Sequence, residues 1–171
     1  MALYWVIIGL ILTVGCQRGP KWQPMPAQRR PPGGLDPVEW RSYVKFVEPD
    51  ADKFVVRDIG PSPGWNWTFD HPELRFFVQP RPGLRFLMSF WMVDTTMRAT
   101  GPVTVAVRIN GHLLQSIRCT KPGNYRVNQL VPLEWLPAGE AVHVLAEASP
   151  LWTSNLDGKH LGYLLEEAGF Q

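Results

Sequence analysis

The 171-residue chain has few of the features by which many enzymes and nucleic-acid-binding proteins are recognised. It has only two cysteines and four histidines, and none of them has the short spacing of a zinc site. No nucleophile elbow, phosphate-binding loop or dinucleotide fingerprint is present. The net charge is only +2, which is too small for a nucleic-acid footprint. We therefore expect no catalytic residue, no metal, no cofactor and no nucleic-acid partner.

Long apolar runs are also scarce, and the one near the N terminus is short. Residues 3–14 are apolar or small, whereas a bilayer-spanning helix needs about 20 apolar residues. The run ends in Leu12-Thr13-Val14-Gly15-Cys16, which resembles the signal of bacterial lipoproteins, although Thr13 stands where that signal favours leucine. The resemblance implies cleavage after Gly15 and lipidation of Cys16. An uncleaved anchor and an ordinary secretory signal are the alternatives.

The segment after Cys16 is rich in proline and arginine and has almost no large apolar side chains. Such a segment cannot bury a core, so we expect an extended tether. This gives a signal segment over residues 1–15, a tether over 16–37 and one folded domain over 38–171. Gln17 after the cysteine resembles the pattern of outer-membrane lipoproteins. The expected location is the bacterial cell envelope, with the protein lipid-anchored in the outer membrane and facing the periplasm or the exterior.

The rest of the chain consists of short apolar runs separated by glycine, proline, asparagine and aspartate. Asn110-Gly111 lies between two such runs and predicts a β-hairpin. Residues 84–93 are apolar on both faces, which predicts a central strand covered on each side. We expect an all-β domain, a β-sandwich or jelly roll of about seven to nine antiparallel strands without a long helix.

Three local predictions complete this outline. Residues 65–69 and 74–79 are expected as two strands, with a turn at Asp70-His71-Pro72 between them. Residues 162–168 are expected as a closing strand, although the pattern also allows a helix. Cys119 is expected as a small buried side chain, or as the disulfide partner of Cys16 if Cys16 is not lipidated.

Longer motifs in residues 65–170 resemble a known domain. They resemble the galactose-binding-like jelly roll of bacterial envelope lipoproteins of acidobacterial type, in the stretches "HPELRFFV", "LRFLMSFWMVDTT", "TGPVTVAVRINGHLL", "KPGNYRVNQLVPLEWL" and "DGKHLGYLLEEAGF". The resemblance implies the fold. Similar modules elsewhere bind sugars or act as accessory domains, but these lipoproteins have no assigned activity.

The candidate ligand-binding residues are Trp65, Trp67, Asp70, His71 and Trp152. An acid and an imidazole beside indole rings can hydrogen-bond sugar hydroxyls while a ring stacks on the sugar. The alternative is that Asp70 caps a turn and that the first two tryptophans belong to the core. Trp152 lies in a polar loop and is the better candidate for an exposed ring.

These observations predict a non-enzymatic, lipid-anchored envelope protein whose β-sandwich binds a glycan or a protein partner. A structural or assembly subunit of an envelope complex, docking by an edge strand or an apolar patch, is the alternative. A hydrolase is the third hypothesis, because residues scattered in sequence can converge in the fold.

Overall fold

Two antiparallel sheets face each other across one apolar core in the computed structural model, which describes residues 41–60 and 66–171. Most of the regular structure is strand. The strands in chain order are β1 (Tyr43–Lys45), β2 (Val55–Ile59), β3 (Thr68–Phe77), β4 (Arg85–Met92), β5 (Val103–Ile109), β6 (His112–Cys119), β7 (Gly123–Leu130), β8 (Ala141–Ser149), β9 (Trp152–Thr153), β10 (His160–Leu161) and β11 (Leu164–Phe170). Short 3₁₀ helices lie at Ala51–Phe54 and Leu133–Trp135.

The strand order is that of a β-sandwich. One sheet has four strands in the order β1-β11-β4-β7, the other has five in the order β2-β3-β8-β5-β6, and β9 and β10 form a small pair of their own. The chain passes repeatedly from one sheet to the other, as in a jelly roll. The predicted all-β fold is confirmed. The predicted closing strand is confirmed as β11, which pairs with β1 and β4.

The core forms because alternate side chains of facing strands point inward. In β5 every second residue is fully buried, from Val103 to Ile109. The two sheets meet through aromatic rings: Phe170 of β11 lies edge-on to Phe76 of β3, with the ring centroids 5.7 Å apart. Tyr163 is fully buried, and its hydroxyl donates to the carbonyl of Ala146 at 2.7 Å. Each such large buried side chain contributes about 1.5–3 kcal/mol to folding.

The Asn110-Gly111 hairpin is present as predicted. Both residues have positive φ, 46° and 85° respectively, which matches the right-handed twist of strands β5 and β6. The Asn110 side chain also donates to the carbonyl of Trp135 at 2.7 Å and accepts from the N–H of His143 at 2.9 Å. The turn is therefore fixed by its backbone conformation and by two neighbouring segments.

One helix was not predicted from the sequence. Helix α1 (Asp94–Thr100) connects β4 to β5 and carries an Asp94–Arg98 ion pair of 2.7 Å one turn apart. With seven residues, α1 is a short helix. In residues 41–60 and 66–171, no helix combines the length and the apolarity needed to cross a bilayer.

The predicted turn at Asp70-His71-Pro72 is wrong, because these residues lie inside the single continuous strand β3. The register between β2 and β3 shifts here, and β8 pairs with β3 only from Glu73 onward. Pro72 therefore occupies a stretch where the ladder does not need its missing N–H. The shift in pairing between β2 and β3, which involves residues distant in sequence, keeps Pro72 within a strand, although the local rule for proline predicts a turn.

Strand β4 is central, but the prediction that both its faces are covered is wrong at Trp91. Its inward residues Phe86, Met88, Phe90 and Met92 are buried, whereas Trp91 on the outer face is 44% exposed. A large apolar side chain exposed at this position is a candidate contact for a ligand or a partner.

Candidate functional site

The structure separates the residues that the sequence grouped as a binding site. Cys16 and Trp65 lie outside the described residues. Trp67 is half-buried and bridges to Leu164, and Trp152 is half-buried in β9. Neither ring lines the cleft described next. Asp70 and His71 are both exposed on β3, where they bind different partners.

A cleft of about 500 Å³, here called the Asp70 cleft, opens beside strand β3. Three segments form it: the end of β2, the start of β3 and the turn between β9 and β10. Its lining residues are Asp58, Ile59, Gly60, Phe69, Asp70, Gly158, Lys159 and His160. Its volume is in the range of small-molecule sites, which is about 300–1,000 Å³.

The irregular pairing of β2 with β3 positions the first wall of the cleft. Asp58 has a φ of 57°, a left-handed conformation that aspartate tolerates better than most residues. Its Oδ2 accepts a hydrogen bond of 3.0 Å from the N–H of His71. The carboxylate of Asp58 is thereby held at the cleft margin next to Asp70.

The second wall is the turn between β9 and β10. The N–H of Ser154 donates to the carbonyl of Lys159 at 2.8 Å, and the N–H of Gly158 donates to the carbonyl of Ser154 at 2.9 Å. Asp157 adds to this turn: hydrogen bonds from the Ser154 hydroxyl and from Lys159 hold the pKa of its carboxyl below the ordinary value. This closed turn presents Lys159 and His160 to the cleft.

The cleft combines hydrogen-bond donors, acceptors and one aromatic ring. His160 Nδ1 lies 2.8 Å from Asp70 Oδ1. Lys159 Nζ lies 5.9 Å from the centroid of the Phe69 ring, a cation–π contact. The arrangement can donate to and accept from a polyhydroxylated ligand while the ring contacts its apolar face.

Two more histidine–carboxylate pairs extend along the outer face of the five-stranded sheet. His71 Nδ1 lies 2.8 Å from Glu147, and His143 Nδ1 lies 2.7 Å from Glu73, which Arg57 also contacts at 2.8 Å. The face next to the cleft thus carries hydrogen-bonded histidine–carboxylate pairs. Within the described part of the chain, no three histidine, cysteine, aspartate or glutamate side chains are grouped to hold a metal.

Among the described residues that line the cleft, none is a serine, threonine or cysteine that could act as a nucleophile. Cys119 is buried in the core as predicted and is a free thiol. Burial raises the pKa of this thiol to about 11, which disfavours the reactive thiolate. The alternative prediction, a disulfide between Cys119 and Cys16, stays a prediction because Cys16 lies outside the described residues.

Of the residues that line the cleft, the sequence indicated Asp70 as a candidate and did not indicate Asp58, Phe69, Lys159 or His160. His160 lies 90 positions from Asp70 in the chain, so only the fold brings the pair together. The sequence did mark residues 157–160 as a tight turn. Nothing local indicated which strand that turn would face.

Comparisons with known proteins concern the fold. No family model matches the chain, and no curated protein matches it. Similar solved structures include an acetyl xylan esterase from Butyrivibrio proteoclasticus, 15% identical over 75% of this chain with a TM-score of 0.43. Dimeric latent PorU from Porphyromonas gingivalis is 12% identical over 81% with a TM-score of 0.42. CBM35 from Paenibacillus barcinonensis is 9% identical over 77% with a TM-score of 0.42.

The match covers very different fractions of the three known structures. The chain spans 32% of the esterase and 14% of PorU, but 98% of CBM35. With TM-scores below 0.5, these similarities carry no argument about ligand or activity. The described strands themselves establish the β-sandwich. The relationship to acidobacterial envelope lipoproteins stays a prediction.

Proposed function

We propose that this protein is a non-catalytic, lipid-anchored envelope protein whose β-sandwich binds a glycan in the Asp70 cleft. The observation that carries the proposal is the convergence of mixed hydrogen-bonding groups and one ring in a cleft of about 500 Å³. Sugar hydroxyls both donate and accept. Asp58 and Asp70 supply acceptors, Lys159 supplies donors, His160 holds the Asp70 carboxylate through Nδ1, and Phe69 supplies an apolar contact.

Binding is favoured over hydrolysis by the exposure of the Asp70 carboxylate. A glycosidase keeps one carboxyl protonated at neutral pH, which requires an apolar and largely dry environment. The side chain of Asp70 is 50% exposed and is paired with His160. Asp70 therefore lacks the dry environment that a glycosidase acid needs.

The envelope location is proposed from the sequence pattern. The short apolar run, the small residues before Cys16 and the proline-rich segment after it are together typical of a lipoprotein. Two or more acyl chains would bind the membrane stably, and the tether would hold the sandwich away from it. Cells fed a clickable palmitate should label the wild-type protein and not Cys16→Ser. Equal labelling of both would contradict the anchor.

Glycan binding is tested with the full chain in detergent on a panel of neutral hexaoses, with xylo-, cello- and galacto-oligosaccharides as probes. We expect at least one to bind, and we expect Asp70→Asn to weaken that binding about tenfold to a hundredfold, because a hydrogen bond to a charged group is lost. Asp94→Asn on helix α1 is the matched control and should leave binding unchanged. Binding that is insensitive to Asp70→Asn would place the ligand elsewhere.

A protein partner is the second candidate, and one observation favours it. Leu130 at the end of edge strand β7 and Leu133 just after it are both exposed apolar residues. Such a patch on an open sheet edge suits docking in an envelope complex. Cross-linking in membranes should then give one dominant partner that is lost in Leu130→Glu, and several weak partners would contradict it.

A further inference from the structure

A second recess lies on the outer face of the four-stranded sheet, away from the residues of the Asp70 cleft. Its volume is about 400 Å³. We call it the Trp91 groove, and its lining residues are Val47, Asn66, Trp91, Leu164, Leu165 and Glu166. Among these six side chains there is one carboxylate, one amide and one indole, and there is no cation.

A β-bulge in β11 places the carboxylate. Leu165 pairs with Phe90 and Glu167 pairs with Ser89, so Glu166 is the extra residue between two regular pairs. A bulge of this kind re-aims a side chain and recurs beside binding sites. In a regular strand one of two neighbouring side chains would point into the core. The bulge instead leaves Glu166 and Glu167 both on the outer face.

The Glu166 carboxylate is held by neutral groups on one of its two oxygens. Ser89 Oγ donates to Oε2 at 2.8 Å, and Asn124 Nδ2 donates to the same oxygen at 2.6 Å. Neighbouring Glu167, in contrast, is paired with Arg126 at 3.3 Å. No ion pair reaches Glu166 from any described residue. The two hydrogen bonds orient its carboxylate through Oε2, and Oε1 has no partner among the described residues.

Asn66 provides a second acceptor. Its side chain is buried, with the residue 7% exposed, and its Nδ2 donates to the carbonyl of Phe46 at 3.0 Å. Its Oδ1 is buried and accepts no hydrogen bond from any residue in 41–60 or 66–171. A buried acceptor without a partner destabilises the free protein, and a ligand that donates to it removes that penalty.

Trp91 completes the groove with an indole ring that is 44% exposed on the outer face of β4. The face of an indole attracts a cation and also packs against the C–H face of a pyranose. The groove thus presents two acceptors and a π-face, while the Asp70 cleft presents donors as well as acceptors.

We infer that the Trp91 groove binds a protonated amino sugar, with the ammonium group directed to Glu166 Oε1 and Asn66 Oδ1 and the ring of the sugar on Trp91. An ammonium group has three donors and no acceptor, which matches two acceptors and no cation in the lining. The inference rests on the proposed function only in taking the body of the ligand to be a sugar.

The test compares two trimers that differ in one group: the glucosamine trimer and its N-acetylated counterpart. Affinities for the full chain in detergent are measured by calorimetry, and the indole N–H signal of Trp91 is followed by NMR. We expect the glucosamine trimer to bind at least tenfold more tightly and to shift the Trp91 signal. Trp91→Ala should weaken it about threefold to thirtyfold, the range of a cation–π contact.

Glu166→Gln should remove most of the preference for the charged trimer, because it keeps the shape of the side chain and removes its charge. Glu167→Gln is the matched control and should keep the preference. Both residues are at the surface or half-buried, so neither change threatens the core.

Equal affinity for the two trimers would overturn the ammonium assignment. Binding of neutral hexaoses that depends on Asp70, with no response of Trp91 to either trimer, would overturn the groove and leave the proposed function standing. A lysine tripeptide that binds more tightly than the glucosamine trimer, with the same dependence on Glu166, would overturn the sugar as the source of the ammonium group.

Discussion

Replacing Gly169 by alanine should detach strand β1 from the sandwich. Gly169 lies in β11 opposite Tyr43 and has a φ of 148°. A Cβ at this position would lie 2.2 Å from the carbonyl oxygen of Ser42 and 2.3 Å from the Cα of Tyr43. Both contacts are with backbone, so no side-chain rotation relieves them and the β1 segment itself has to move.

The size of the effect follows from what β1 and the residue after it bury. Val44 and Phe46 are each 1% exposed. Burying one such side chain contributes about 1.5–3 kcal/mol, so losing both lowers the free energy of unfolding by about 3–6 kcal/mol. A domain is typically stable by only about 5–15 kcal/mol. Gly169→Ala should therefore be severely destabilised.

Urea unfolding of Gly169→Ala and of Gly111→Ala separates the effect of the close backbone contacts from the effect of a positive φ. Gly111 also has positive φ, 85°, but a Cβ there meets nothing within 4 Å. It therefore reports only backbone strain, about 1–2 kcal/mol. A loss for Gly169→Ala no larger than that for Gly111→Ala would refute the close-contact reasoning. Because Phe46 bonds both Asn66 and the backbone of Glu166, the same variant should also loosen the Trp91 groove.

Three further predictions concern stability and reactivity. Tyr163→Phe leaves the buried carbonyl of Ala146 without its partner and should cost about 1–3 kcal/mol in urea unfolding; an unchanged midpoint would contradict the bond. Cys119, whose pKa is raised from 9.0 to about 11, should resist iodoacetamide at pH 8 in the fold and react in urea, and its contribution to stability should fall as pH rises from about 9 to 11. The carboxylate of Asp157, whose pKa is lowered, stabilises the β9–β10 turn above the ordinary value of 3.8, and this stabilisation is lost as pH falls further below it, so the protection factor of the Lys159 amide should then fall. Equal protection of this amide in the wild type and in Asp157→Asn at neutral pH would contradict this.

Local patterns predicted the parts of the fold that depend on neighbours in sequence. The alternation in residues 103–109 and the Asn110-Gly111 pair act within a few positions, so the hairpin and its strands were found. Pro72 shows the limit of such rules: proline is typical of turns, but a shift in strand pairing accommodates it within β3.

The candidate sites depend on contacts between distant residues, and most of them were not predicted. Asp70 meets His160 only because β10 lies beside β3, and Glu166 is turned outward by a bulge that exists only in the pairing with β4. Trp91 was assigned to a covered face because its neighbours are apolar. Its exposure follows from its place on the outer face of the four-stranded sheet.

The measurement that tests the central claim most directly is an NMR titration of the full chain in detergent with the neutral hexaose that binds best. The account predicts that the shifted signals cluster at Asp58, Asp70 and His160 and that Asp70→Asn strongly reduces these shifts at a ligand concentration near the wild-type Kd. Shifts confined to other surfaces, or no shift with any hexaose of the panel, would contradict glycan binding in the Asp70 cleft.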